Sequence, residues 1–371
     1  MRVRLPMSGT MGVVCSEDVY QQDIPIPAWT AARNIRFNEK GAQQVKGHTK
    51  FFDTTDASAA AFTPTWIKYF PDRNNPRWIY ADSNRVFCYE GFTVTEITRY
   101  TASPGDHNYN ATDRWQGALF NGIGILNSAG DAPQMWNPVD NTTRLQDLSN
   151  WPAGYLCRFI KPFKNFLIAG YIYDGSVLHP HRLLWGHPAD PGTVPTSWNT
   201  ADPSVDAGDM EVVETPDYLV DGGQLADQFI AYRENSTWGV QLTGNQNVMR
   251  QVPLSNSAGI IWKDCYTDLP IGHVVAGWED FYLHQGNRAS FQSLLDGKAR
   301  KFLSQNRNQQ YYYNCFNVIC EPEKEVWHCF PQAGYQYASL ALVWNWQSGQ
   351  VGFRDLPTVP FADAGPVIYS S

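Results

Sequence analysis

Six stretches of this 371-residue chain repeat one pattern: a short apolar strand, a turn, and a second strand carrying a Trp or another aromatic. They read "RWIYADSNRVFCYEG", "GIGILNSAGDAPQMWN", "NFLIAGYIYDGSVLHPHRLLWG", "QFIAYRENSTWGVQL", "DFYLHQGNRASFQSL" and "EVWHCFPQAGYQYASLALVWNW". Turn formers separate the two strands, among them Asp82-Ser83-Asn84, Gly130-Asp131, Asp174-Gly175, Asn235-Ser236, Gln285-Gly286-Asn287 and Gln332-Ala333-Gly334. With Trp78, Ile123, Phe166, Phe229, Phe281 and Val326 as equivalent positions, the intervals are 45, 43, 63, 52 and 45 residues. A four-stranded propeller blade takes about 40–50 residues, so each interval fits one blade, with insertions in the third and fourth. Further strand candidates precede several units ("WIKYF", "WQGALF", "YLCRFI", "YYNCFNVI") and follow most of them ("FTVTEIT", "TTRLQDL", "NVMRQVPL", "QVGFRDL"). The pattern predicts an all-β chain folded as a six-bladed β-propeller, because radial repetition leaves each sheet only short, protected edges. Tandem β-sandwiches are the rival, but they need linkers, and residues 99–113 and 186–209 are the only extended polar loops.

Composition agrees. Aromatics make up 14% of the chain, and its 29 Gly and 24 Pro are scattered, which suits many short strands broken by turns. The nearest approach to a helix is "SLLDGKARKFLSQ" (residues 293–305), where Gly297 argues against a long one. The Trp residues recur about two to a unit and are expected to fill the packing between blades rather than form a sugar-stacking surface. A formal net charge of −8 with no long Lys/Arg block speaks against a basic nucleic-acid-binding face. Seven cysteines without a CxxC pair suit reduced thiols in a cytoplasmically folded chain. The start "MRVRLPMSGTMGVV" lacks the apolar core of a secretion signal, and no window approaches a membrane span, so a soluble protein made in the cytoplasm is expected.

The signatures of catalysis are missing from the sequence. There is no GxSxG, HExxH or GxxxxGK[ST], and "NGIGILN" lacks the third glycine of a dinucleotide loop. His179 and His181 flank a proline, with His187 following, but a surface pair of histidines is commoner than a metal site. The acidic runs "DAGDMEVVET" and "CEPEKEV" lack the spacing of a glycosidase pair. The expectation is a non-enzymatic protein with no cofactor, metal or catalytic residue.

Residues 29–52, "WTAARNIRFNEKGAQQVKGHTKFF", form a hairpin-like piece with little apolar surface of its own. An isolated hairpin is marginal in water, so residues 1–55 are read as an arm that supplies an outer or closing strand or reaches a neighbouring chain, with residues 56–371 as the propeller.

Several of these segments resemble the β-propeller virion proteins of short-tailed bacteriophages, the tail hub or nozzle family beneath the portal and adaptor rings. The opening is similar through Asn34, Ile35, Phe37, Gly41 and Gly47, and "LLWGHPADPGTVPTSWN" through Trp185, Asp190, Pro191 and Trp198. "HVVAGWEDFYLHQGNRASFQSL" resembles the family's strand-turn-strand unit through Asp280, Phe281, Tyr282 and Gly286, and "SLALVWNWQSGQVGFRDLP" (339–357) its final blade. The resemblance implies a structural protein of the virion tail, assembled in the host cytoplasm as a ring of six copies. It further implies contacts with the adaptor, other tail proteins and fibres, and no membrane. Phage DNA would pass through the ring without specific binding, since adsorption grows with each phosphate neutralised and this chain is acidic. A carbohydrate-binding tail adhesin and a glycoside hydrolase propeller are the alternatives, because propellers host all three classes.

Overall fold

The computed structural model describes residues 11–15, 28–38, 41–45, 47, 64–71, 76–83, 85–91, 93–99, 114–138, 142–244, 247–295 and 299–365. Asn84 of the first turn, Gly297 and most of the polar loop 99–113 lie outside them, as do residues 48–55 of the arm. A two-stranded hairpin, β1 (Ile35–Asn38) and β2 (Gly41–Gln44), precedes six four-stranded antiparallel sheets. Blade 1 is β3 (Trp66–Phe70), β4 (Arg77–Ala81), β5 (Val86–Glu90) and β6 (Thr93–Glu96). Blade 2 is β7 (Gln116–Phe120), β8 (Ile123–Asn127), β9 (Gln134–Trp136) and β10 (Gln146–Asp147). Blade 3 is β11 (Leu156–Phe163), β12 (Phe166–Tyr173), β13 (Leu178–Trp185) and β14 (Gly208–Glu211). Blade 4 is β15 (Leu219–Leu225), β16 (Gln228–Arg233), β17 (Thr237–Leu242) and β18 (Met249–Ser255). Blade 5 is β19 (Tyr266–Leu269), β20 (Gly272–Ala276), β21 (Phe281–His284) and β22 (Gln292–Ser293). After α1 (Arg300–Asn306) comes blade 6: β23 (Phe316–Cys320), β24 (Glu325–Phe330), β25 (Ala338–Asn345) and β26 (Val351–Val359). The fold is a six-bladed β-propeller, and each blade is a meander contiguous in sequence.

The second strand of each blade explains why the repeat is readable. Strand β8 (IGILN) and β20 (GHVVA) are buried throughout, and β4, β12, β16 and β24 nearly so. A strand covered on both faces reads as a continuous apolar run instead of an alternating one. Fourth strands such as β10 (QD) and β14 (GDME) are largely exposed and carry little apolar signal.

One alignment needs correcting. Trp78, Ile123, Phe166, Phe229 and Val326 lie in second strands, but Phe281 lies in the third strand of blade 5. The true counterpart is β20, whose "GHVVA" has no aromatic of its own, whereas "DFYLHQGN" imitates the aromatic strand and turn. The extra length assigned to the fourth interval therefore belongs after β22, where α1 and a 3-10 turn (Gln309–Asn314) intervene. The helix overlaps the end of the stretch that comes nearest to helical, and it is only seven residues long.

The described residues divide into two compact units. One holds blades 1 to 4 with the C-terminal segment from Phe361, and the other holds the hairpin with blades 5 and 6. In the first unit, apolar layers fill the space between successive sheets. Trp66, Phe70 and Ile79 of blade 1 meet Trp115, Leu126 and Trp136 at blade 2. Phe120 and Ile123 meet Ile160, Leu167 and Leu184 of blade 3. Phe159 and Phe163 of blade 3 meet Phe229 and Trp238 of blade 4. The fit is close enough to demand glycine: opposite Phe159 in the β11/β12 register sits Gly170, where a Cβ would come within 2.2 Å of the ring.

The C-terminal segment straps blade 1. Phe361 stacks on Trp66 at 6.5 Å and lies under the Arg114 guanidinium. Asp363 accepts from the Tyr69 amide at 2.8 Å and from Lys68 Nζ at 3.1 Å.

The Gly170 contact yields a measurable expectation. Gly170→Ala should destabilise the chain by about 1–3 kcal/mol through overpacking, read as a lower urea midpoint with unchanged slope. Phe159→Leu in the same chain should recover part of the loss, and equal stability of the single variant and the parent would contradict the packing described.

Candidate functional site

The residues that carry the family resemblance fall in three places, each built by local sequence. The first is the arm. Trp29 sits edge-on to Phe37 at 5.7 Å, and Val14 N donates to Trp29 O at 2.9 Å while Trp29 N donates to Gly12 O at 3.0 Å, so the two arm segments form one small layer. Phe37 is buried over Gly352 of β26, where any side chain would crowd its ring. Asn34 adopts the left-handed backbone (φ 58°) that Asn tolerates. From there its amide donates to Phe353 O at 2.9 Å, its side-chain Nδ2 donates to Asp355 Oδ2 at 2.9 Å, and its Oδ1 accepts the Asp355 amide at 3.0 Å. Val13 N donates to Val351 O at 2.8 Å.

Charge completes the docking. Arg36 reaches Glu325 of β24 at 2.6 Å and Glu323 at 3.0 Å, and Glu325 also accepts the Trp327 indole N–H. Burial opposes the Arg36 charge, yet the two glutamates outweigh it and hold its pKa above the ordinary arginine value. The hairpin turns at Gly41, whose φ of 119° only glycine adopts readily, while Gly47 is exposed with open space around it. Strands β1 and β2 pair with each other as a separate sheet and belong to none of the six blades.

The second place is the excursion between β13 and β14. Trp185 donates its indole N–H to Asp206 O at 2.9 Å, and Trp198 packs edge-on to Trp151 at 4.7 Å. Asp190, Pro191, Gly192 and Thr193 make a turn closed by Thr193 N to Asp190 O at 3.0 Å, with φ 80° at Gly192. The side-chain amide of Asn121, from the β7/β8 turn, donates to Asp190 O at 3.1 Å. These four signature residues thus anchor a loop.

The third is the turn into β21. Asp280 Oδ1 accepts from the Phe281 amide at 2.8 Å and Ser293 Oγ at 3.0 Å, and its other oxygen pairs with Arg300 of α1. Phe281 is fully buried against His328. Gly286, at φ 80°, donates its amide to His284 Nδ1 at 3.2 Å.

Histidines flagged in the sequence serve as polar fasteners. His179 lies between Asp174 at 3.1 Å and Glu211 at 3.4 Å, His181 meets Arg233 Nη2 at 2.6 Å, and His187 accepts the Asp206 amide at 3.0 Å. Among the described residues no group of three or more His, Cys, Asp or Glu is placed to hold a metal. Sequence reasoning missed the fully buried Arg233, whose guanidinium is tied to Thr215 and to Asp217. It also missed Asp221, which receives Lys161 at 3.6 Å and Gln116 Nε2 at 3.1 Å. No local pattern marks either group, because Arg233 meets partners 16 and 18 residues away and those of Asp221 come from blades 2 and 3.

Two buried histidines give the unit of blades 5 and 6 a pH dependence. Burial, reinforced by His273, pushes His284 down to about 3. Burial and then Arg307 hold His328 well below its usual value, with its Nδ1 bonded to Asn317 Oδ1 at 2.8 Å. Both are neutral in the folded chain, while the unfolded chain titrates near ~6.5. Their contribution is therefore complete above about 6.5 and is lost as pH falls towards about 3, because the unfolded state then binds more protons. Thermal midpoints should be level from pH 8 to about 6.5 and fall below it, with a shallower fall in His284→Gln; a flat acid limb in the parent would contradict neutral burial.

No family model matches the chain. No curated protein matches it either. Solved structures do: YCF48 bound to D1 peptide is 14% identical over 70% of this chain and 72% of that one, with a TM-score of 0.41. Apo AztD from Citrobacter koseri is 7% identical over 80% of this chain and 87% of that one, also at 0.41. The AfRom2 CNH domain is 8% identical over 73% and 77%, at 0.40.

Proposed function

We propose that this chain is a structural, non-enzymatic subunit of a short-tailed phage tail, a hub or nozzle protein whose copies form a ring that extends the DNA exit channel below portal and adaptor. One observation carries the reading. The two segments at opposite ends of the chain that resemble the family, residues 29–52 and 339–357, bond to one another through the reciprocal Asn34–Asp355 pair and the seat of Phe37 on Gly352. Residues that look like a family pattern thus share a single structural task, fastening the arm to blade 6.

The arm also offers ring chemistry. Strand β2 (GAQQ) pairs only with β1 among the described residues, and its Ala42, Gln43 and Gln44 are exposed. A polar strand edge of this kind accepts a strand from another chain by main-chain bonding. When one patch meets a different patch on the next copy and the rotation closes, the product is a ring. The net charge of −8 suits a conduit that does not adsorb DNA.

Light scattering and imaging of the full chain, alone and with a portal–adaptor complex, test the reading: rings of six copies are expected in at least the second case. A chain lacking residues 1–50 should stay folded and fail to enter rings, and intact rings from it would remove the arm from the assembly. A monomer that ignores the portal–adaptor complex would overturn the tail assignment. Arg36→Ala, which takes the salt bridge from the buried Glu325 and leaves it the Trp327 indole, should loosen the arm by about 1–3 kcal/mol, seen as faster hydrogen exchange at Val13 and Asn34 than in blade 6.

A further inference from the structure

Blade 3 ends in an open edge. Strand β14 pairs with β13 on one side and with no strand on the other among the described residues. Val212 N donates to His181 O at 2.9 Å, which carries the ladder one residue past the strand. Hydrogen-bonded pairs alternate along an antiparallel ladder, so the N–H and C=O of Asp209, Glu211 and Val213 point away from β13. Val213 is 62% exposed, more than any other large apolar side chain described, and Val177 and Leu178 at the adjoining β12/β13 turn are exposed too. Other fourth strands are less open. Strands β10 and β22 have two residues each, β26 receives bonds from the arm, and just past β6 the Ile97 carbonyl accepts the Leu145 amide at 2.9 Å. Strand β18 contains Pro253, and proline blunts an edge.

Charge selects what fits the β14 edge. Residues 206–217 hold five carboxylates and no Lys or Arg. Asp209 is held by Arg182 at 2.8 Å and Asp217 by Arg233 at 3.6 Å, whereas Asp206, Glu211 and Glu214 meet no Lys or Arg among the described residues. The fitting occupant is a short strand with an open edge of its own and cations beside it. This chain carries one. Residues 29–52 hold five Lys or Arg and one carboxylate, in a chain of net charge −8. Arg33 and Arg36 are bound to blade 6, and Lys40 and Lys46 flank β2 in sequence.

Strand β2 has the matching backbone. Val45 N donates to Asn34 O at 2.9 Å, so by the same alternation Ala42 and Gln44 turn their N–H and C=O away from β1. Strands β2 and β14 are each four residues long. Within one chain β2 pairs only with β1 among the described residues, so its second partner comes from another copy. We propose that the β14 edge, with Val213 and the carboxylates beside it, is where the arm of a neighbouring copy docks, β2 of one copy adding to β14 of the next. The inference rests on the ring-forming role proposed above and names the patch that the arm meets. Edge and arm are different patches, so the contact is of the head-to-tail kind that builds rings.

Carbodiimide cross-linking of a mixture of isotopically light and heavy full-length chain, read by mass spectrometry, tests the pairing, both alone and with a portal–adaptor complex. Mixed-isotope cross-links from Lys40 or Lys46 to Glu211 or Glu214 are expected wherever copies associate. Glu211→Lys with Glu214→Lys should weaken association about tenfold or more by sedimentation, and adding Lys40→Glu with Lys46→Glu should restore it. Val213→Asp, at an exposed position, should weaken it as well, while Asp227→Lys on the exposed β15/β16 turn should leave it unchanged. Thermal midpoints verify that each variant is folded. Assemblies that form without these cross-links, or that survive the paired Glu211→Lys and Glu214→Lys change, overturn the docking and leave the tail reading standing. Copies that associate in neither condition overturn both. Cross-linked copies that ignore the portal–adaptor complex uphold the docking and overturn the tail assignment alone.

Discussion

The structure depends on burying the middle strands of each sheet against the sheets beside it. A single four-stranded meander has two apolar faces and cannot hide either alone, so stability comes from repeating the unit until each face has a neighbour. The chain meets this need with large rings at the interfaces, such as Trp66, Trp115, Trp136 and Trp238, all essentially excluded from solvent. Rings that large need space, and glycines supply it: Gly117 lies under Trp66, and Gly222 under Phe229. Aromatics and glycines are therefore two halves of one packing solution, which is why both are abundant here.

A second constraint follows from the first. The first strand of each blade has a sheet partner on one side only, which leaves carbonyls along its other edge for other groups to bond. At blades 3, 4 and 5, side chains from adjacent blades donate to carbonyls in or beside that strand, at Cys265 O alongside the Ala276 amide. Asn127 of blade 2 donates to Cys157 O and Arg158 O of blade 3, Arg158 donates to Leu219 O of blade 4, and Asn317 of blade 6 donates to Cys265 O beside β19. These bonds have geometry that apolar packing lacks, so they set the register between sheets as well as satisfying polar groups.

How much of this was legible in the sequence depends on which strand is considered. Second strands were readable as apolar runs, and the strand candidates on either side of them, "WIKYF" and "QVGFRDL" for example, are β3 and the start of β26. Blade 5 was misaligned because an aromatic in its third strand was more conspicuous than the Gly-His-Val-Val-Ala run of its second. The expectation that the tryptophans pack between blades holds for Trp66, Trp115 and Trp136. Asn34 and Phe37 stood out in the arm, yet nothing near them in sequence points to Asp355, 321 residues away. The meeting of residues 150–155, 182–184 and 196–200 was equally hidden, since these three stretches of sequence come together only once blade 3 has folded.

The treatment of the chain ends ties the physical and functional readings together. Many closed sheets join their ends by sharing a strand; here each blade is complete in one stretch of sequence, and the end segments are fastened to blades 1 and 6 by side chains and a few isolated main-chain bonds instead. Phe361 and Asp363 grip blade 1, while Asn34, Arg36 and Phe37 grip blade 6. A shared strand would commit each terminus to the core of a sheet. Fastening by surface contacts leaves the outermost strand of the arm, β2, with one edge unpaired among the described residues while the edge of β26 beneath it is covered. Exposed strand edges invite pairing, and a monomer gains nothing from presenting one. In the ring proposed above, a short polar edge held on blade 6 would recruit a neighbour without exposing the apolar layers on which the propeller depends.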